Sequence, residues 1–69
     1  MPLIMAKTGE EKLIKKIGGK SETKAFLEKL GFVTGASVSV VTEMAGNLIV
    51  QIKDSRIAIS REMASKILV

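Results

Sequence analysis

The apolar positions of this chain do not follow one period, and each change of period marks an element. Lys7-Thr8-Gly9-Glu10 and Gly18-Gly19 are turn signals that bracket a short segment, Glu11 to Ile17. Within it Leu13, Ile14 and Ile17 stand at helical spacing while alternation is weak, so periodicity alone leaves the type open. Length favours one strand, because so short a stretch between glycines suits extended chain better than a helix.

Ser21 to Leu30 is predicted as a helix. Ser21 is placed to cap it, Glu22 lies in the first turn where a negative charge is favourable, and Thr23, Phe26, Leu27 and Leu30 lean to one face. Gly31 ends it. A glycine there suits the left-handed position of a Schellman motif, which would bring Phe32 back against Leu27. Beyond the Thr34-Gly35 turn a period of two takes over, with Ala36, Val38 and Val40, then Leu48, Val50 and Ile52, then Ile57 and Ile59 each on one face of a strand. Ala45-Gly46-Asn47 and Asp54-Ser55 are the expected links. Ser60 is placed to cap a helical turn near residues 61-65, and Ile67-Leu68-Val69 supplies a last short strand.

These elements amount to five short strands with one inserted helix, at about residues 21-30, and a helical turn, read as a single domain over residues 1-69. A flat sheet of that make-up would leave apolar edges open, so the expected fold is mainly β, a small, partly open SH3-like barrel, with an OB-like barrel as the alternative. Composition agrees. At 69 residues the core must be dense to hold, and 46% of the chain is apolar, nearly all of it aliphatic. There is no Cys to form a disulfide and no His or Cys to hold a structural zinc.

Chemistry enters mostly by exclusion. Without histidine, and with Glu10-Glu11 as the main carboxylate pair, no nucleophile-base or proton-sharing constellation can be assembled, so an enzyme is not expected. Gly18-Gly19-Lys20-Ser21 ends like a phosphate-binding loop but lacks the first glycine, and reads as a strand-to-helix turn. No cofactor or metal site is expected, and Met5, Met44 and Met63 read as core filler or interface. The net charge of +4 is scattered along the chain and does not form a stripe, and Trp and Tyr are missing. Nucleic acid is therefore not the expected partner, nor is polyproline peptide. With no signal-like start and no apolar run near the roughly 18 residues of a membrane span, a cytoplasmic protein without direct membrane insertion is expected.

Several motifs occur together in order: Ile17-Gly18-Gly19, then Phe26-Leu27-Glu28-Lys29-Leu30-Gly31-Phe32, Thr34-Gly35, Val38-x-Val40, and Arg56-Ile57-Ala58-Ile59-Ser60-Arg61-Glu62. In this combination the chain resembles the FeoA family, small cytoplasmic proteins of bacterial ferrous iron uptake. The resemblance implies an SH3-like barrel acting as an accessory or regulator of FeoB, the ferrous iron transporter with a cytoplasmic GTP-binding portion. Similar domains end some metal-dependent repressors, and a stand-alone repressor-type regulatory domain is the alternative, alongside nucleic-acid binding. A DNA-binding segment ahead of the matching residues is not expected, and on that expectation the transporter role is favoured.

The chain departs from the family pattern at Thr34, where proline is frequent, at the short Met44-Ala45-Gly46-Asn47 loop, and at Phe26, where a basic residue is frequent. The expected contact surface is the helix around Lys24, Phe26 and Leu27, with Lys20 helping and Leu27 acting by seating the helix. Gly18, Gly19, Leu30, Gly31, Phe32 and Gly35 are expected to be structural. Self-association into a homo-oligomer is a further expectation for so aliphatic a domain.

Overall fold

A computed structural model describes residues 1–69. A 3-10 turn, Leu3–Met5, leads into β1 (Glu11–Leu13) and β2 (Lys16–Ile17), followed by α1 (Ser21–Lys29). Then come β3 (Ser37–Met44), β4 (Asn47–Ile52), β5 (Ser55–Ser60), α2 (Arg61–Ala64) and β6 (Ile67–Leu68). The strands make a four-stranded antiparallel sheet in the order β1-β3-β4-β5 and a two-stranded sheet of β2 and β6. This is the mainly β, SH3-like architecture, with six strands where the sequence predicts five.

The difference lies in Glu11–Ile17, which turns a corner. Glu11–Leu13 pairs with β3, the Ile14 N–H still donates to the Ala36 carbonyl at 2.9 Å, and then the Lys15 N–H donates to Leu68 at 2.7 Å. The strand thus passes from one sheet to the other between adjacent residues. Ile14 and Ile17 are buried and Leu13 is exposed, so the inward positions fall three apart across the bend. A strand crossing a barrel corner imitates the spacing of a helix.

Cross-strand pairs share a face, and the pairs Val38↔Ile52, Val40↔Val50 and Leu48↔Ile59 form one wall of the core. Between Val40 and Thr42 the register slips by a β-bulge. Its effect is local but large. Simple alternation would turn Thr42 inward after Val38 and Val40, whereas the bulge sets Thr42 opposite Ile49 and Glu43 opposite the buried Leu48. Glu43 is thereby carried to the barrel mouth, where its Oε2 accepts from Arg61 Nη1 at 2.6 Å and ties β3 to α2.

The first link between strands is one residue tighter than expected, and the second has the expected length but lies one residue earlier. Met44 pairs with Asn47, leaving Ala45 and Gly46 as a two-residue hairpin with φ of 52° and 80°, and Ile52 pairs with Ser55 across Lys53-Asp54. Positive φ at two central residues matches the right-handed twist of the flanking strands. Ser60 caps α2 by accepting from the Met63 N–H at 3.1 Å.

Fourteen buried side chains, all apolar, form one cluster that draws on the 3-10 turn, both sheets, both helices and the segment after α1. Leu3, Ile14, Leu27, Phe32, Val38, Val50, Ile52 and Ile67 are its largest fully enclosed members. Each such side chain contributes on the order of 1.5–3 kcal/mol of transfer free energy. Met63 packs against the cluster as filler, but Met5 and Met44 are 68% and 63% exposed and do not. Leu3 anchors the 3-10 turn in the core while Met5 at its end faces outward, as does Met44 beside the hairpin tip.

Candidate functional site

Helix α1 is the one long element laid across the barrel's outside, and its sequence decides how it sits. At about 100° per residue, Thr23, Leu27 and Leu30 cluster on one side. Leu27 is fully buried and the other two are half-buried. The start of the helix differs from expectation. The Lys24 N–H donates to the Lys20 carbonyl at 2.9 Å, so Lys20 is the half-in residue at the N-terminus and Ser21 is already helical. No side chain caps this end.

At the other end the Phe32 N–H donates to Leu27 O and the Gly31 N–H to Glu28 O, both at 3.0 Å, with Gly31 at φ 104°. These are the paired bonds of a Schellman motif, and they drop Phe32 into the core beside the helix. Gly35, at φ 91°, makes the next reversal: Ala36 N–H donates to Val33 O, and the Gly35 N–H to Ile14 O at 2.8 Å. Gly19, at φ 92°, turns the chain into α1, and Gly18 before it is tied to the residue preceding β6. The Gly18 N–H donates to Lys66 O at 2.7 Å, and the Lys66 stem passes 3.5 Å from where a Cβ on Gly19 would stand.

The four side chains expected to make the contact surface are not brought onto one face. Leu27 lies beneath the helix, and Phe26, 47% exposed, lies on one flank. Lys24 lies about 200° around the axis from Phe26 and faces the other flank. There it lines a shallow cleft of about 170 Å³ with Lys16, Ile17, Glu28, Val33 and Thr34. Lys16 and Lys24 make no salt bridge, since the ion pairs are Lys12–Glu10 at 3.3 Å and Arg61–Glu43 at 2.6 Å. Lys20, exposed at the helix start, extends this basic flank by one turn.

Sequence reasoning thus overlooked Lys16 and Val33 as neighbours of Lys24. Val33 is 38% exposed immediately after the buried Phe32, and only the Schellman reversal places it there. A second cleft, of about 150 Å³, lies among Thr23, Ser60, Glu62, Met63 and Lys66. No three His, Cys, Asp or Glu side chains come together as a metal-ion group. No helix is long and apolar enough to cross a membrane.

Comparison with known proteins places this geometry. The FeoA domain family model matches residues 1–69. The Fe(2+) transport protein A of Methanocaldococcus jannaschii is 38% identical over 68 residues, covering 99% of this chain and 83% of that protein. Two solved structures share the fold. The solution structure of FeoA from Chlorobium tepidum superposes with a TM-score of 0.89 at 21% identity, over 99% of this chain and 67% of that one. The zinc complex of Stenotrophomonas maltophilia FeoA, described as a procaryotic SH3 domain protein, does so at 0.86 and 22%, over 99% and 87%. With the whole length matched by the family model and a relative at this identity, the chain belongs to the FeoA family, the proteins of ferrous iron transport.

Proposed function

We propose that this chain is a cytoplasmic accessory protein of ferrous iron uptake that binds the cytoplasmic portion of a FeoB-like transporter through the exposed side of α1. It works by contact and carries out no chemistry of its own; ferrous iron is the transporter's cargo. The observation that carries the reading is Phe26, a large apolar side chain left nearly half exposed on a helix whose neighbouring Leu27 is fully buried. Aromatic side chains on a rigid support supply binding energy out of proportion to their number.

The two flanks divide the work. Phe26 supplies the apolar anchor, while Lys20 and Lys24, with Lys16, give the opposite flank a positive potential that speeds encounter with an acidic partner. Pull-down of the transporter's cytoplasmic portion tests the reading, with Phe26→Glu and Lys24→Glu assayed separately. Loss of capture with Phe26→Glu, and salt-sensitive weakening with Lys24→Glu, are the expected results. Undiminished capture by both variants removes α1 from the interface.

A further inference from the structure

The four-stranded sheet has two edges of unequal kind. β1 offers only three residues, Glu11–Leu13, and beside it Thr8 bridges onto Val40. β5 is six residues long and has no strand on its far side. Ile52 and Ser55, flanking a two-residue turn, must exchange hydrogen bonds directly, because the alternative would require a bond between the adjacent turn residues. Alternation then gives Ile57 and Ile59 the bonded pairs with Val50 and Leu48. The N–H and C=O groups of Arg56, Ala58 and Ser60 therefore point away from β4. The Ser60 C=O is engaged as the first acceptor of α2, and none of the backbone bonds in turns, loops and caps takes up the others.

Edge strands are ordinarily blunted by lysine, proline or a bulge. β5 has none of these: its register with β4 runs without a shift, and its single charge is Arg56, near one end. Ser60 is still extended at φ −70° and ψ 158°, so its N–H carries the open row to the last residue of the strand. The last five residues of β5, Arg-Ile-Ala-Ile-Ser, set an isoleucine on either side of Ala58 and a polar or charged residue at either end.

We propose that β5 is a dimer interface, in which β5 of one protomer pairs antiparallel with β5 of a second copy about a twofold axis at Ala58. In this register Ala58 faces its own copy, Arg56 faces Ser60 across the axis, and Ile57, half-buried on the inner side, lies opposite Ile59. The outward groups of the two Ala58 residues bond each other and each Ser60 N–H donates to the Arg56 carbonyl across the axis, so two four-stranded sheets become one. Moving the register to set Arg56 against Arg56 opposes like charges, and setting Arg56 against Ala58 leaves Ser60 unpaired. The twofold pairing is closed, so it ends at a dimer and does not propagate.

Sedimentation equilibrium of the full chain from micromolar to millimolar concentration, with amide hydrogen exchange on the same samples, tests this. The mass is expected to rise from 7.4 kDa toward twice that value. The Arg56, Ala58 and Ser60 amides should gain protection with concentration while those of α1 do not. Ala58→Pro removes an outward N–H and leaves the β4 ladder intact, and should raise the dimer dissociation constant roughly tenfold or more. Should that variant unfold, Ala58→Lys sets two ammonium groups on the axis and should weaken the dimer most at low salt. A monomer throughout the range, or a dimer indifferent to both folded variants, overturns the proposal. Protection of these amides only when the transporter's cytoplasmic portion is added overturns it as well, and gives the edge to that partner's strand.

Discussion

Phe32 donates its backbone N–H to the carbonyl of Leu27 at 3.0 Å, and both side chains are fully enclosed in the same core cluster. The bond spans Gly31, whose φ of 104° makes the reversal. Local backbone chemistry and long-range packing thus meet at one residue, and the helix is anchored where it ends.

Gly31→Ala is expected to destabilise the domain by about 1 kcal/mol or more. No heavy atom stands within 4 Å of the new Cβ, so the penalty comes from the positive φ alone. Gly31→Asn should recover part of it, because asparagine tolerates the left-handed region. Urea unfolding of the three proteins provides the comparison.

Leu27→Ala is expected to cost about 2–5 kcal/mol, the range for a buried leucine whose cavity relaxes incompletely. In a domain of this size such a loss reaches much of the total stability. The variant should therefore lose partner capture together with its thermal transition.

Phe26→Glu should behave oppositely. With the side chain 47% exposed, the melting transition is expected to move little, within about 0.5 kcal/mol, while capture of the transporter's cytoplasmic portion is lost. Measuring both on one preparation separates a contact residue from a packing residue.

Two changes at the barrel mouth rank the interactions there. Ser60→Ala removes the hydroxyl that accepts from Met63 N–H and should cost about 1 kcal/mol. Glu43→Gln breaks the ion pair with Arg61, whose side chains are 53% and 50% exposed respectively, and should cost less than about 1 kcal/mol. Thermal unfolding in low and high salt checks the order, since salt should shrink only the second difference.

Much of this fold was legible before any coordinates. The Schellman stop at Gly31, the alternation in Val38, Val40, Leu48, Val50 and Ile52, and the Ser60 cap each depend on residues a few positions apart, and such short-range rules act whatever the rest of the chain does. Glu11–Ile17 shows the limit. Its spacing reflects a strand passing between two sheets, and the corner exists only because β3 and β6 are both there to receive it.

The candidate surface was legible in part. Lys24, Phe26 and Leu27 are neighbours in sequence, yet the helix's own rotation sends the first two to opposite flanks, a consequence of burying Leu27 and not of any motif. Lys16 and Val33 join Lys24 only through the return of β2 and the reversal at Gly31. The bulge at Val41, the pairing of Glu43 with Arg61 and the open edge of β5 were likewise invisible, because each is a relation between strands. By itself the sequence determined where α1 stops, which strands alternate after it and, through its ordered motifs, the likeness to FeoA. Tertiary structure alone decided which side chains share a surface and which edge stays open, because those depend on register and on the direction in which each element is docked.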